Sequence, residues 1–509
     1  MKNILQYLEK SASLYSSKNA FTDHNRCMTY SECVEDSKRI GSHLLQLNCM
    51  RKPIAVLMDK TVESLSCFFG VVYSGHFYVV IDSEMPQDRI EKIFETLHPI
   101  ALITDYKHQE KAKELNICTY YYEDMMKGDI DQEGLDRVRN KMIDTDPLYA
   151  LFTSGSTGMP KGAILTHRNV MNYASWYKET FDINDQTQFG SQTPFYFSMS
   201  VSDVFSTIMS GATLHIIPKS LFSFPIKLIE YMNEKKVNTI YWVPSALCIV
   251  ANLKVLDYLA LNDVNKVLFA GEVMPTKQLN YWRKKIPNAM YANLFGPTET
   301  TDICTYYIVD REFDDDEVLP IGKACQNCDI FLLDENNQEV TDDSEGELCV
   351  RGSFLASGYY NNSEKTNEAF VQNPLNPYYP ETIYKTGDLV KYNDRGELIY
   401  ITRKDFQIKH MGYRIELGEI EAAVNSLDKI QTSAVLFDEK KDKIVLVYTG
   451  KIDDKSIVDG IAHKVPSYMM PNIIVKCKTI PYNQNGKIDR KWLKDHYEEL
   501  GGKRKWMNY

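Results

Sequence analysis

Leu151-Phe-Thr-Ser-Gly-Ser-Thr-Gly-Met-Pro-Lys-Gly162 is the stretch whose reading decides the fold and chemistry of this chain. It sets two serines, two threonines, three glycines and one lysine behind the apolar segment Leu148 to Phe152. Glycines let backbone N–H groups approach an anion, hydroxyls donate to phosphate oxygens, and lysine supplies a compact positive charge. That is the composition of a triphosphate cradle. Gly155 and Gly158 do not give the G-x4-G-K-[ST] spacing, so the loop is not a Walker A motif. Read alone, the same residues also make an ordinary polar loop. The rest of the chain has to separate the two readings.

The 509 residues carry 44% hydrophobic and 25% charged side chains, enough for more than one domain around a sizeable core. A formal net charge of −11 argues against a nucleic-acid-binding face. Lys503-Arg504-Lys505 reads as a solvated tail. Eleven cysteines are scattered, and the single Cys325-x-x-Cys328 has no second pair to complete a zinc site. The start, Met1 to Lys10, reads as an amphipathic helix rather than a signal peptide. The most apolar stretch, Cys67 to Ile81, is too short to span a bilayer. A cytoplasmic location without membrane insertion is expected.

Apolar runs alternate with amphipathic stretches through roughly the first four hundred residues. Ile54–Met58, Tyr78–Ile81, Ile100–Thr104, Thr239–Val243 and Val267–Ala270 are expected as buried strands. Glu63–Tyr73, Arg89–Leu97 and Pro225–Lys235 are expected as helices. The alternation predicts an α/β fold with parallel sheet. From Gly322 shorter strands, Ile330–Leu333 and Gly346–Val350, with turn chemistry at Asp334 to Asn337, predict a partly antiparallel, barrel-like subdomain. Arg403-Lys-Asp-Phe406 is a candidate boundary. The expected division is a core of residues 1–403 and a small α+β domain of residues 404–509.

Three further segments suit a nucleotide. In Asn293-Leu-Phe-Gly-Pro-Thr-Glu-Thr-Thr301, Glu299 beside a phosphate site would call for a cation such as Mg²⁺; the same residues also read as a turn and helix cap. In Tyr384-Lys-Thr-Gly-Asp-Leu389, Asp388 can accept from two ribose hydroxyls, or simply close a turn. Asn483-Gln-Asn-Gly-Lys-Ile-Asp-Arg490 presents Lys487 from a tight loop.

Taken in order, these motifs resemble the ANL superfamily of adenylate-forming enzymes, specifically amino-acid-activating adenylation domains and stand-alone D-alanine–D-alanyl carrier protein ligases. The resemblance runs from about Tyr15 to Trp492 through Thr153–Gly162, Phe295–Thr300, Tyr384–Asp388, Gln407–Glu416 and Asn485–Arg490. It implies that a carboxylate reacts with ATP to give an acyl-adenylate and pyrophosphate, and that the acyl group then passes to a phosphopantetheine thiol. The implied nucleotide site comprises Thr153, Ser154, Gly155, Ser156, Thr157, Gly158 and Lys161 on the phosphates, with Asn293, Phe295, Gly296 and Thr298. Glu299 would bind Mg²⁺, Asp388 the ribose with Arg403 assisting, and Lys487 the reacting carboxylate and α-phosphate. Asp405 matches the hinge about which a C-terminal domain rotates, with Lys409 to Tyr413 moving in for thioester formation. Thr402 departs from the glycine usual before the arginine.

The implied acid pocket is Phe197, Ser198, Met199, Ser202, Tyr241, Leu268, Ala270, Leu294, Asp302 and Ile303. Amino-acid-activating relatives carry an aspartate at the position of Ser198 to hold the α-ammonium, and a serine hydroxyl cannot supply that countercharge. Asp203 does not replace it, since relatives have an acid there too. The expected substrate therefore lacks an α-ammonium: a hydroxybenzoate-type aryl acid, or a β- or ω-amino acid, with Asp302 accepting a phenol or pairing an amine. The chain ends seventeen residues after Trp492 without a carrier motif, so a carrier protein acting in trans is the expected acceptor. An amino acid–carrier ligase for D-alanine, an acyl-CoA ligase, a luciferase-like oxidoreductase and a non-catalytic scaffold are the alternatives.

Overall fold

A computed structural model describes residues 1–155, 159–405, 407–482 and 488–500. It divides into two compact units. The first comprises Met1–Ser83, Leu97–Leu151 and Gly162–Lys404; the second comprises Glu84–Thr96, Phe152–Lys161 and the chain from Asp405.

The first unit is built on three sheets. Val/Ile-rich runs with both faces apolar can be buried only as central parallel strands. Pro53–Leu57, buried at all five positions, lies between Phe77–Ile81 and Ala101–Thr104, both parallel to it. These belong to a six-stranded sheet. A nine-stranded sheet places Met290–Phe295, Lys266–Phe269, Thr239–Trp242, Gln188–Ser191, Thr213–Ile216 and Asn19–Thr22 side by side, all parallel. The third sheet is antiparallel and has five strands, among them Cys328–Leu333, Gly346–Gly352 and Thr382–Tyr392. Its strand Leu398–Arg403 pairs with Thr382–Tyr392 so that Arg403 faces Asp388 in register. The expected α/β core with an antiparallel subdomain is what forms, and strand ends differ from the sequence reading by one or two residues.

Two helices matter for the site. His167–Thr180 begins at a reciprocal cap between Thr166 and Asn169, which satisfies two orphan N–H groups. Met199–Ser210 ends at Gly211, whose φ of 73° is the left-handed conformation that closes a helix C-terminus. A Cβ there would lie 2.3 Å from the Tyr15 ring, so glycine is required twice over. The fully buried Tyr30 donates its hydroxyl to the carbonyls of Thr207 and Ala212, at 2.8 and 2.7 Å, and fixes this helix end.

In the second unit, the hairpin Gln407–His410 and Tyr413–Glu416 leads into helix Leu417–Asn425. A sheet of Ile430–Asp438, Lys443–Gly450 and Ile473–Lys476 follows. Ile420, Val424, Leu446 and Ile457 form its core. Arg490 clamps Glu421, with an Nη2–Oε2 distance of 2.7 Å, and donates to Val435 O. No helix among the described residues is long and apolar enough to cross a membrane.

Tyr30→Phe keeps the ring but leaves two helix-end carbonyls without their donor. We expect a loss of about 1–2 kcal/mol in urea-induced unfolding at unchanged cooperativity; a variant as stable as the parent would show that water replaces the hydroxyl.

Candidate active site

A short segment between Phe295 and Cys304 organises the first unit's chemistry. Gly296 is packed against the returning backbone: a Cβ would lie 2.5 Å from Ile303 Cα and 2.6 Å from Asp302 O. Cys304 N closes the loop onto Phe295 O at 2.9 Å. Inside it, Thr301 adopts φ 70°, ψ −52°, a strained conformation for a β-branched residue. Its hydroxyl, bonded to Phe354 O at 2.8 Å, helps to hold that turn. The turn sets Glu299 and Asp302 on either side of Thr301, both buried.

Asp302 is the meeting point of the predicted acid pocket. Its Oδ2 accepts from the hydroxyls of Tyr173, Ser202 and Tyr241, each at 3.0 Å. The Ser198 hydroxyl is near enough to hold this carboxyl's pKa down as well. Tyr173 and Ser202 bond each other at 2.7 Å. Complete burial pushes the Asp302 carboxyl up to about 6, and the hydroxyl donors pull against that rise. Each donor comes from a different place: Tyr241 from a central parallel strand, Ser202 from helix Met199–Ser210, Tyr173 from helix His167–Thr180. Met199, Leu268, Ala270, Leu294 and Ile303 are buried apolar positions on the same elements or beside them, and Phe197 is half-buried. Of the predicted pocket residues, Ser202, Tyr241 and Asp302 are thus brought into one hydrogen-bonded cluster, with Ser198 beside it.

Tyr173 was not foreseen. Nothing in the helical repeat His167–Thr180 separates a tyrosine that carries a working hydroxyl from one that only fills the core. Asp203, one residue beyond Ser202, belongs to a separate pair. Lys60 donates to Ser191 O and Oγ at 3.0 and 3.1 Å and lies over the Phe195 ring. Burial lowers the Lys60 ammonium and raises the Asp203 carboxyl, while their mutual attraction opposes both shifts.

The predicted nucleotide residues of this unit lie on the strand ends beyond. Arg403 donates from Nη1 to Asp388 Oδ1 at 2.8 Å and from Nη2 to Thr386 O at 3.1 Å. Asp388 Oδ2 takes no bond from any described residue. Glu299, wholly buried, accepts the Tyr359 hydroxyl at 2.6 Å. Asn293 is spent on structure, donating to Pro320 O at 2.8 Å, and Phe295 packs on Tyr400. Thr298 is buried beside Glu299. No cluster of three His, Cys, Asp or Glu occurs among the described residues. A single carboxylate suits Mg²⁺, which takes one or two carboxylates and completes its shell with phosphate oxygens and water.

In the second unit, Gly155 is packed against backbone: a Cβ there would lie 2.0 Å from Met159 O. Thr153 Oγ1 reaches Lys161 O at 3.5 Å, and Ser154 donates to Arg414 O at 2.8 Å. Asp405 accepts from Gln407 N at 3.3 Å. Ser156, Thr157, Gly158 and Lys487 lie outside the described residues.

The raised Asp302 carboxyl has a pH signature. The folded chain holds its proton more tightly than the unfolded chain, so this group lowers stability as pH rises from about 4 through 6. The difference amounts to about 3 kcal/mol at pH 7. Asp302→Asn removes it, so we expect the variant to gain about that much on the parent between pH 4 and pH 7 in urea unfolding. Parallel curves would mean that the carboxyl ionises in the folded chain as readily as in the unfolded one.

Comparison with known proteins places this arrangement. The AMP-binding enzyme family profile matches residues 8–360. Tyrocidine synthase 1 of Brevibacillus parabrevis is 30% identical over 503 residues, covering 97% of this chain and 45% of that protein. Bacitracin synthase 3 of Bacillus licheniformis is 31% identical over 503 residues, covering 97% of this chain and 8% of its own length. The chain thus spans less than half of these relatives. Among solved structures, the Vibrio cholerae adenylation domain AlmE with glycyl-adenosine-5'-phosphate has a TM-score of 0.83 at 20% identity, covering 97% of this chain and 98% of that one. The Bacillus subtilis o-succinylbenzoate CoA synthetase has the same score, identity and coverage. The chain belongs to the family of AMP-binding enzymes and is an adenylation domain of the ANL superfamily.

Proposed function

We propose that this adenylate-forming enzyme activates a carboxylic acid lacking an α-ammonium and passes it to the phosphopantetheine thiol of a carrier protein supplied in trans. The observation that carries the activation step is the Asp388–Arg403 pair. One carboxylate oxygen is held and neutralised by the guanidinium, and the other is left to accept from a ribose diol. Glu299 would hold Mg²⁺, which when bound neutralises the phosphates as they meet the incoming carboxylate. The loop from Thr153 to Lys161 would grip the β- and γ-phosphates through hydroxyls and backbone N–H groups. Lys487 would place its ammonium at the carboxylate and α-phosphate, where charge develops during attack.

The acid would enter the slot lined by Met199, Leu268, Ala270 and Leu294. Ser198 is what speaks against an α-amino acid: a hydroxyl cannot supply the countercharge that an α-ammonium needs. The thiol acceptor is supported by solved neighbours of the same fold that hold an adenylation domain together with a PCP domain. Residues 404–509 would form the mobile domain, with Asp405 as hinge, by which one site serves both half-reactions.

Pyrophosphate exchange tests the first half-reaction. Asp388→Asn is expected to raise KM for ATP about tenfold, the worth of one hydrogen bond to a charged group. Lys487→Ala is expected to lower exchange by about a hundredfold or more at little change in KM. Exchange that survives both substitutions would refute these roles.

A further inference from the structure

Among the buried aspartates of the first unit, Asp36 and Asp146 pair with arginines and Asp23 accepts three backbone N–H bonds, whereas Asp302 has neither kind of partner among the described residues. Asp388 has Arg403 and Asp203 has Lys60. No lysine, arginine or histidine among the described residues forms an ion pair with Asp302. The nearby charge that bears on Asp203 from Asp302 is of like sign. A carboxylate in that position is solvated only by neutral hydroxyls, and burying a charge without a counterion is unfavourable.

The hydroxyls also say what would complete it. Ser202, Tyr173 and Tyr241 all lie 3.0 Å from one oxygen, Oδ2, and no described residue donates a hydrogen bond to Oδ1. A phenol donating to Oδ1 would add one neutral hydrogen bond and leave the buried charge without a counterion. An ammonium gains instead: each hydroxyl that donates to Asp302 turns its own lone pairs outward as acceptors, around a negative centre. Three N–H donors and a positive charge match that ring. Leu268, in register with Tyr241, and Ile303, next to Asp302, are buried and apolar and would suit methylenes between the amine and the carboxylate.

We propose that Asp302 is the receptor for a substrate ammonium, so that the acid activated is an aliphatic amino acid whose amine lies beyond the α-carbon. Tyr173, on a helix outside the predicted pocket set, is a positioning residue that holds the Asp302 carboxylate and Ser202. This assignment rests on the adenylating function proposed above and chooses among its substrates. It makes Asp302 and not Ser198 the residue that fixes where the amine sits.

The test is pyrophosphate exchange on the full chain at neutral pH, with β-alanine, 3-aminobutyrate and 4-aminobutyrate. Each is paired with its hydroxy analogue, and hydroxybenzoates and L- and D-alanine are run alongside. At least one off-α amino acid is expected to exceed its hydroxy analogue by about a hundredfold or more in kcat/KM, as for a desolvated charge pair. Asp302→Asn should collapse that ratio towards one. Tyr173→Phe should raise KM for the amino acid several-fold with kcat nearly held, whereas a merely structural loss would lower active enzyme and kcat. The amine/hydroxy comparison on the unmodified chain needs no variant to fold. Strong exchange with hydroxybenzoates and none with the amino acids would overturn the amine receptor while leaving adenylation intact. Preference for L- or D-alanine would overturn it likewise. No exchange with any acid would overturn adenylation, and the amine assignment with it.

Discussion

A carboxylate removed from water must be hydrogen-bonded, paired or protonated, and Asp302 imposes that constraint on the middle of the first unit. Its donors come from a strand, a helix and a second helix. Those elements have to meet with their hydroxyls within hydrogen-bonding distance of one carboxylate. Devices some distance away serve the same end. Gly211 and Tyr30 stop helix Met199–Ser210 where Ser202 is in reach, and the parallel register of Thr239–Trp242 with Lys266–Phe269 sets Tyr241 beside Leu268.

The same unit handles its other buried acids differently. Asp388 is held by a guanidinium across an antiparallel pair, which fixes its orientation as well as its charge. Asp203 and Lys60 offset each other's burial and belong to the packing around Phe195 and Ser191. Where a cation is built in, the acid is stabilised in the empty protein. Where only hydroxyls are built in, much of the electrostatic balance is left to whatever enters.

The sequence made the architecture legible because strands such as Pro53–Leu57 are continuous apolar runs and helices such as Val62–Tyr73 start at a hydroxyl cap. The nucleotide residues were legible through their spacing, and Asp388 does face Arg403 as the motif order suggests. The pocket was readable as a set of positions and not as a network. That Ser202 and Tyr241 bond Asp302, and that Tyr173 joins them, depends on tertiary distances between residues 29 to 129 positions apart, which no local pattern encodes. Thr301 hides its left-handed backbone behind a residue type that rarely adopts it. Gly296 was read for phosphate chemistry, and its close approach to the Asp302 and Ile303 backbone is an equally strict reason for glycine.

The bend at Thr301 bears on how such a pocket can diversify. Glu299 and Asp302 hang from one strained turn, clamped by Gly296 on one side and Phe354 on the other. Sliding the acid along the chain would disturb the carboxylate three residues earlier, so its location is inherited with the turn. The hydroxyls around it sit on separate elements and can be exchanged one at a time. Variation in chain length or bulk of the accepted molecule is therefore open at positions 173, 198, 202 and 241, while the anionic pole stays put.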